Sequence, residues 1–470
     1  MSATYLDSGK FYSKVQILTA IMSLIRNIVI ARVLAVEDYG VAATIGIVLS
    51  FIEMSTMLAF DKYLLKSRYG NNQRLVGATH SLGIIRGIIV AIFLFVIAEP
   101  VSQYFRIPDK VWMFEVLALA PLIRGFFHQN AVVHQKKGSF YRLSQIELIP
   151  QLLTTLTIYP ASLHFADATV VLYVVILTSA GSVLVSHLLA SLPFRLYFNK
   201  AVLVDILQYS WPLLVTGGLM FLVFQGDKAI VGGYYSLEDL ALVTVVISLF
   251  SMPVMVFARI SMGIGMPLVA EELRGRSGSA SRDLIICVVI IVACAAVAGF
   301  NSLGHLVIGY LYGDNYVPEQ GVIYIISVLM GLRILRMPVQ VFSLAAGDSK
   351  NGMYVGIARA CSLLPSLYCA MNGYEIIIVL AIGIAGELFG LILGVYLAKS
   401  VAQRSWNTLI VMFSFIWLLG VSLFSYWASD RYGIHPLAGF FMQFILLFTP
   451  FFLIFRSKFT MEFIHRLKRV

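Results

Sequence analysis

Charged side chains are scarce in this sequence. They make up 12% of the 470 residues, against roughly 25% in an ordinary soluble protein, whereas 59% of the residues are hydrophobic. This composition excludes a soluble globular domain. The net charge of +10 does not indicate nucleic-acid binding, because such proteins cluster Lys and Arg on a solvated face, whereas here they lie in short segments between apolar runs. The sequence therefore predicts a protein of the lipid bilayer with no nucleic-acid partner.

Cysteine is equally scarce and shows no pattern. The four cysteines form no Cys-x-x-Cys pair, and no histidine lies at metal-ligand spacing from them. We therefore expect free thiols in the core, and neither a metal site nor a cofactor. The first fourteen residues also lack the features of a cleavable signal peptide, so the first apolar run is expected to be an uncleaved anchor. The cysteines are Cys287, Cys294, Cys361 and Cys369.

Long apolar runs dominate the rest of the chain. A helix needs about 20 residues to cross the hydrocarbon core, where lipid offers no partner to an unpaired backbone amide. Fourteen runs approach or exceed this length, so we predict an all-α integral membrane fold of about fourteen transmembrane helices. The predicted spans are 15–36, 39–60, 75–98, 111–133, 141–163, 169–192, 204–231, 240–269, 284–310, 320–346, 353–371, 375–398, 408–427 and 436–455.

Lys and Arg are distributed unequally between the two sides of these spans. Of the 34 Lys and Arg residues, seven lie inside spans, 22 lie on the side that includes both termini, and five lie on the other side. Short segments rich in Lys and Arg stay in the cytoplasm. Both termini are therefore predicted to be cytoplasmic. The five residues of the opposite side are Arg32, Arg106, Lys110, Lys228 and Arg431.

The sequence contains two echoes of an internal duplication. Glu37-Asp38 follows the first span, and Glu238-Asp239 follows the seventh. Arg124 of the fourth span precedes Gly138 by fourteen residues, and Arg333 of the tenth span precedes Gly347 by the same number. Repeats six spans apart are expected to be related by a pseudo-twofold axis along the membrane normal, with a substrate path between them.

This duplication predicts three regions. Residues 1–200 form an N-terminal lobe of spans one to six, and residues 201–402 form a C-terminal lobe of spans seven to twelve. Residues 403–470 add two further helices and a basic tail.

Several charged side chains lie at depths where charge is costly. A charge at the bilayer centre costs about 2.5–3.5 kcal/mol on insertion scales, so such groups face a bundle interior or a watery cavity. The deep acids are Glu53 and Glu387, whereas Arg359 lies near enough to a helix end to extend its charge to the interface. Six deeper cations, all arginine, outnumber these acids. They are Arg26, Arg86, Arg124, Arg259, Arg333 and Arg336.

An arginine-lined cavity predicts an anionic ligand. Arg stays protonated in proteins and holds phosphate oxygens with a planar fork. Arg333 and Arg336 lie on one helical face with Gln340, so a single ligand can contact all three. The alternative is that neighbouring acids neutralise each arginine, for instance Glu53 neutralising Arg26.

Four acids have two open interpretations. Each is either a counter-ion for an arginine, which we favour, or a site that binds a coupling proton or Na⁺. They are Glu53, Asp61, Asp227 and Glu387.

The first two spans resemble those of a known family. Residues 24–34 read LIRNIVIARVL and residues 37–40 read EDYG. This segment resembles the MOP superfamily of flippases, and within it the Wzx-like polysaccharide transporters. Arg26 and Arg32 look like the paired first-helix arginines that lipid II flippases use near the pyrophosphate.

The resemblance implies two six-helix lobes around a cationic cavity, alternating access and a location in the bacterial inner membrane. It implies an undecaprenyl-pyrophosphate-linked oligosaccharide as substrate, for O-antigen or exopolysaccharide synthesis. A polysaccharide polymerase and a chain-length regulator are the partners it suggests.

Two other function classes remain open. A MATE-like multidrug exporter of the same superfamily predicts transport of organic cations, which the excess of deep arginine disfavours. A membrane-embedded polysaccharide polymerase or ligase shares the hydropathy but generally carries a large periplasmic catalytic loop. No connecting segment here exceeds about 15 residues, which argues against such an enzyme.

Overall fold

The fold is described from a computed structural model. It describes residues 3–56, 60–67, 72–273, 280–348 and 350–398, with the isolated positions 417, 420, 421, 439, 442, 443, 445 and 446. Predicted spans 408–427 and 436–455 lie outside the described residues except at those positions. Within these ranges the chain is helical and contains no strand, which confirms the predicted fold class.

The helices of the first half are α1 to α10. They are α1 Ala3–Val33, α2 Val36–Ser55, α3 Phe60–Lys66, α4 Gln73–Tyr104, α5 Val111–Leu117, α6 Leu119–Arg124, α7 Asn130–Lys136, α8 Tyr141–Phe165, α9 Thr169–Leu188 and α10 Lys200–Tyr234.

The helices of the second half are α11 to α18. They are α11 Leu237–Ile260, α12 Met266–Leu273, α13 Ala280–Tyr312, α14 Gln320–Leu335, α15 Met337–Ala345, α16 Lys350–Ala360, α17 Leu363–Met371 and α18 Ile376–Leu397. A π-helix, Ser261–Gly265, joins α11 to α12.

Ten helical segments of the described chain are long and apolar enough to cross a membrane. They comprise α1, α2, α4, α9, α10, α11, α13, α14 with α15, α16 with α17, and α18. The protein is therefore a multi-pass membrane protein. The predicted fifth span is also one continuous helix, α8, which runs through Pro150 and Pro160.

The predicted fourth span, 111–133, is not one helix. It is divided into α5, α6 and α7, with an irregular segment at residues 125–129. Here α4 and α6 approach closely, since a Cβ on Gly125 would lie 3.0 Å from the carbonyl oxygen of Gly83. Apolar composition predicts length and burial but not where helical hydrogen bonds fail, so the prediction of a continuous span was wrong.

The described chain divides into two compact units, Met1–Thr244 and Val245–Val470, with the boundary inside α11. In the first unit α8 packs against α1 and α9, and α10 packs against α2. In the second unit α14 lies at the centre and contacts α13 and α18, and its residues from Val322 to Leu335 are all buried.

The two glycines of the predicted duplication, Gly138 and Gly347, have the same local structure in the two units. Gly138 and Gly347 adopt positive φ angles of 86° and 82°. Each glycine N–H bonds the carbonyl three residues back, at 2.9 and 3.0 Å, and the next N–H bonds the carbonyl five residues back, at 3.0 and 2.8 Å. This is a Schellman helix end, which favours glycine because its backbone is left-handed. The two halves therefore share a local structure at this position.

The cysteines depart in part from their expected environment. Cys294, Cys361 and Cys369 are free thiols, as predicted. Among these three, Cys294 is buried, Cys361 is exposed and Cys369 is partly exposed, whereas the side chain of Cys287 lies outside the described part of the structure. The core assignment was wrong for Cys361, since its place beside a helix end leaves the thiol uncovered.

Candidate functional site

Three arginines of the second unit surround one carboxylate. Arg333 Nε donates a 2.8 Å hydrogen bond to Glu387 Oε1, and Arg336 Nε lies 3.7 Å from Glu387 Oε2. Arg359 also donates to Glu387 Oε1. We call these four residues the Glu387 cluster. Its three positive charges and one negative charge leave a formal excess of two positive charges.

Close helix packing places Arg359 in this cluster. A Cβ on Gly390 of α18 would lie 2.7 Å from Arg359 Cγ, so only glycine lets the arginine stem cross α18 here. One turn earlier, a Cβ on Gly386 would lie 2.3 Å from Ser362 Oγ. These glycines bring α16 and α18 together, and Arg359 is only 7% exposed.

The cluster is buried and incompletely satisfied. The exposed fractions of Arg333 and Glu387 are 8% and 4%. Arg336 Nε, Arg359 Nε and Glu387 Oε2 have no hydrogen-bond partner. Buried charge is costly unless it is paired, and one carboxylate cannot neutralise three guanidinium groups. The cluster therefore favours an additional anion.

A second arginine cluster lies in the first unit. Arg124, the last residue of α6, forms an ion pair with Glu53 of α2, and the two side chains are 40% and 42% exposed. Arg86 of α4 donates a 3.2 Å hydrogen bond to Thr56 Oγ1 and lies within electrostatic range of both. We call Glu53, Arg86 and Arg124 the Glu53 cluster, in which positive charge exceeds negative by one.

The duplication extends to the partners of the repeated arginines. Arg124 Nε donates to Ser179 Oγ at 3.2 Å, 55 residues later, and Arg333 Nε donates to Glu387 Oε1, 54 residues later. The spans involved are the fourth and sixth in one unit, and the tenth and twelfth in the other. Equivalent spans therefore give the repeated arginine a neutral hydroxyl partner in the first unit and a carboxylate partner in the second.

A further pair of residues occupies equivalent positions in the two units. Pro150 and Arg359 lie twelve residues after Gly138 and Gly347, and each packs over a glycine. A Cβ on Gly181 would lie 3.1 Å from Pro150 Cβ, as one on Gly390 would meet Arg359. The third arginine of the Glu387 cluster therefore has no charged counterpart in the first unit.

Arg26 lies apart from both clusters, between α1 and α8. Its Nη1 donates to Thr155 Oγ1 at 2.9 Å, to Thr154 Oγ1 at 3.3 Å and to the Gln151 carbonyl at 3.4 Å. The alternative pairing of Arg26 with Glu53 is wrong, because Glu53 binds Arg124 instead. Sequence depth alone could not show which neighbouring helix faces each charge.

The remaining predicted residues are not brought into either cluster. Arg32 and Arg259 are exposed near helix ends, and Gln340 is exposed on α15. Asp227 is partly buried in α10, and the side chain of Asp61 lies outside the described part of the structure.

Sequence reasoning missed Arg359 as a site residue. It was expected to reach the interface, but it is buried against Glu387. The sequence feature that could have indicated this burial is the spacing of Gly386, Gly390 and Gly394, one helical turn apart and next to Glu387. Such small residues mark a face where a neighbouring helix approaches closely.

No group of three or more metal-ligating side chains that could hold a metal ion occurs in the part of the chain that was described.

The chain is similar in sequence to one protein family and in fold to several solved structures. A sequence profile described as "Polysaccharide biosynthesis protein" matches residues 29–319, more than half of the chain. No curated protein matches the chain in sequence.

Solved structures match the chain along most of its length. A structure of "Lipid II flippase MurJ, inward closed conformation" has a TM-score of 0.71 at 11% identity, covering 95% of this chain and 99% of that one. An inward-facing multidrug resistance MATE family transporter of the MOP superfamily has a TM-score of 0.65 at 13% identity, covering 82% and 96%. A MATE structure in the bent conformation has a TM-score of 0.52 at 13% identity, covering 90% and 98%. At these identities the likeness establishes the MOP fold.

Proposed function

We propose, from the premise that this chain belongs to the polysaccharide biosynthesis protein family, that it translocates an anionic lipid-linked saccharide across the membrane. The observation that carries this proposal is the Glu387 cluster, in which two buried arginines and one partly buried arginine share one carboxylate. The substrate is an undecaprenyl-pyrophosphate-linked oligosaccharide repeat unit. The transport proceeds by alternating access, as part of surface polysaccharide synthesis in the bacterial inner membrane.

The pyrophosphate supplies the charge that the arginines lack. A diphosphate presents several oxygens to guanidinium forks, and charge-assisted bonds of this kind are about twice as strong as neutral ones. Arg333, Arg336 and Arg359 bind it in the second unit, and Arg86 and Arg124 form a second group of arginines in the first unit that can make the same contacts. Arg26, Arg32 and Arg259 add to the positive field along the path.

The acids act as counter-ions in this proposal. Glu53 and Glu387 are both paired with arginine, which favours this role over that of a carrier of a coupling proton or Na⁺. Asp227 and Asp61 keep the same proposed role. A phosphate group competes with each carboxylate for the same guanidinium groups, so substrate entry and release exchange one anion for another.

The membrane arrangement of the proposal follows from charge. Both termini face the cytoplasm, because the segments on that side carry most of the Lys and Arg residues. A polysaccharide polymerase and a chain-length regulator act on the product on the other side.

An organic-cation exporter is the second candidate, and the likeness to MATE structures is the observation that favours it. Both clusters carry excess positive charge, which repels a cation. The two functions therefore differ in the sign of charge that the arginines select.

Reconstituted vesicles provide the test. Purified protein is inserted into liposomes with a fluorescent undecaprenyl-pyrophosphate saccharide, and the lipid that reaches the outer leaflet is measured by quenching. The double variant Arg333→Gln/Arg336→Gln should slow translocation at least about tenfold, since a hydrogen bond to a charged group contributes about 1.5–3 kcal/mol. Arg74→Gln is the matched control, because Arg74 is an exposed arginine at the start of α4.

Two outcomes contradict the proposal. One is wild-type translocation by the double variant at equal membrane content. The other is uptake of an organic cation that is unaffected by the anionic lipid.

A further inference from the structure

The break between α6 and α7 interrupts the helical hydrogen bonds of a predicted span, 111–133, in its last third. The N–H groups of residues 125–127 still bond carbonyls three or four residues back, whereas those of His128 and Gln129 bond side chains instead. Irregular backbone is tolerated at membrane depth only where it is buried in protein or lines a water-filled cavity. The break begins one residue after Arg124, the cation of the Glu53 cluster.

Side chains of two other helices satisfy this backbone. The N–H of Gln129 donates to His80 Nε2 of α4 at 3.2 Å. The N–H of His128 donates to Ser186 Oγ of α9 at 3.0 Å, and the neighbouring His187 Nε2 bonds the Phe126 carbonyl at 2.8 Å. The break is therefore held open by specific contacts.

The contacts fix the protonation of two rings. His80 accepts the Gln129 N–H at Nε2, so its proton is on Nδ1, which donates to the Arg195 carbonyl at 3.1 Å. His128 has the opposite arrangement. Its Nδ1 accepts the Asn130 N–H at 3.1 Å, and its Nε2 donates to the Leu192 carbonyl at 2.9 Å. Each buried ring is a neutral tautomer with both nitrogens in use.

The two rings also join the break to the segment before α10. His80 stacks on Phe194 at a centroid distance of 4.3 Å and contacts His128 edge-on at 4.7 Å. His80 and His128 are each 1% exposed. The break, α4 and the segment 189–199 therefore form one packed unit.

The corresponding place in the second unit is built differently. There the interruption is a single residue, Arg336, followed by α15 with Pro338 in its first turn. Its backbone bonds continue locally, with the Arg336 N–H bonded to the Leu332 carbonyl at 3.0 Å. The wide break held by histidines is therefore a feature of the first unit among the described residues.

We propose that His80 and His128 are positioning residues for Arg124, and this role rests on the proposed function. Closing residues 125–129 into a helix would rotate α6 relative to α7, because each helical residue turns the chain by about 100°. The two rings prevent this closure and keep the Arg124 guanidinium beside Glu53 and Ser179. The residues act on substrate binding through Arg124 and do not contact the substrate.

Paired substitutions separate the two bonds of each ring. In His80→Gln the side-chain oxygen replaces Nε2 and still accepts the Gln129 N–H, whereas His80→Asn keeps only the donor to Arg195. At position 128 the pattern is reversed. His128→Asn keeps the acceptor for the Asn130 N–H, whereas His128→Gln keeps only the donor to Leu192. The proposal therefore predicts that Gln restores function at position 80 and that Asn restores it at position 128.

The measurements use the full-length protein in lipid vesicles. His80→Asn and His128→Gln should increase hydrogen exchange in residues 125–130 by about tenfold, since each leaves a buried N–H without an acceptor. They should raise the KM for the fluorescent lipid-linked saccharide by a similar factor, with a smaller change in the maximal rate. His80→Gln and His128→Asn should remain within about threefold of the wild type in both measurements. His134→Gln is the control, because its ring contacts Ser191 Oγ and no backbone group of the break.

The outcomes distinguish this role from the proposed function. Equal effects of Asn and Gln at both positions, or faster exchange with unchanged KM, overturn the positioning role. If Arg124→Gln raises KM and His80→Asn does not, only the positioning role is overturned. If Arg124→Gln itself leaves KM unchanged, the proposed function fails at this residue and the positioning role fails with it. The crossed pattern of rescue at both positions supports it, and if one of the four variants fails to fold, the pair at the other position still supports or overturns it.

Discussion

Arg333 and Glu387 are joined by a 2.8 Å hydrogen bond from Nε to Oε1, buried between α14 and α18. The same carboxylate also holds Arg336 and Arg359. An ion pair at the surface contributes little, but a buried carboxylate shared by three cations reduces the repulsion between them. Under the proposed function, Glu387 and the anionic substrate therefore compete for the same guanidinium groups.

The first prediction concerns removal of this carboxylate. Glu387→Gln keeps the size of the side chain but leaves three guanidinium groups, those of Arg333 and Arg359 buried, without this counter-charge. Breaking a buried ion pair typically costs about 3–5 kcal/mol. We expect a correspondingly lower unfolding temperature for the detergent-solubilised variant.

Glu53→Gln is the matched control for this measurement. Its pair with Arg124 is about two-fifths exposed, and exposed pairs contribute about 0–1 kcal/mol. Equal stability losses for the two variants would contradict the prediction. Adding Arg359→Met to Glu387→Gln should recover part of the loss, because the double variant contains one fewer buried cation.

The second prediction concerns the glycine beneath Arg359. In Gly390→Ala the new Cβ would lie 2.7 Å from Arg359 Cγ and 3.1 Å from its Cδ, so the arginine has to move away from α18. Overpacking of this kind costs about 1–3 kcal/mol. We expect lower thermal stability together with slower translocation, because the displaced guanidinium leaves Glu387.

Gly356→Ala on α16 tests whether the effect is due to this contact. A Cβ at Gly356 would meet no atom within 4 Å. Alanine in a helix is favoured over glycine by about 0.5–1 kcal/mol, so this variant should be as stable as the wild type or more so. A loss of stability in both variants would show that helical glycine, and not the Arg359 contact, determines the result.

The third prediction is a pH dependence at the helix α3, outside the membrane-spanning segments. The phenol of Tyr63 donates to Asp205, and burial with this carboxylate raises the pKa of Tyr63 to about 12. The folded protein therefore binds the phenol proton more tightly than the unfolded chain. The contribution to stability is complete below the unfolded pKa of about 10 and is lost as the pH rises to about 12.

Tyr63→Phe provides the measurement. The difference in unfolding temperature between wild type and variant should be constant below pH 10 and should shrink at higher pH. A difference that grows above pH 10 would contradict the assignment. Tyr310→Phe is the control, since Tyr310 is 82% exposed.

The sequence predicted the helices better than their contacts. Apolar length identified α18 and the combined α14 and α15 to within a few residues, because each segment must cross the same thickness of lipid. The family resemblance carried by residues 24–40 was confirmed by the profile match and by the MOP fold.

The partners of the charges could not be predicted in the same way. Arg333 meets Glu387 from 54 residues away, and only the packing of α14 against α18 determines that contact. The break after Arg124 was missed because most side chains that satisfy its backbone, those of His80, Ser186 and His187, come from α4 and α9. Depth along a span is a local property, whereas neutralisation of a charge depends on neighbouring helices.

The last prediction separates folding from function at Arg26. This side chain is 6% exposed, and its hydrogen bonds go to uncharged oxygens of α8. In Arg26→Met the hydroxyls of Thr154 and Thr155 keep their bonds to the carbonyls of Pro150 and Gln151, at 2.9 and 2.7 Å. Replacing a buried charge by an apolar residue of similar length is often neutral or stabilising.

Arg26→Met should therefore keep its unfolding temperature while its translocation of the anionic lipid falls. Arg26→Lys should retain part of the translocation, because the charge is kept but the planar fork is lost. A Met variant that is both stable and fully active would show that Arg26 has no role in transport. A Met variant that unfolds early would show that the guanidinium is needed to join α1 to α8. Only the combination of wild-type stability with reduced translocation fits a charge that is retained at a cost to folding because the substrate needs it.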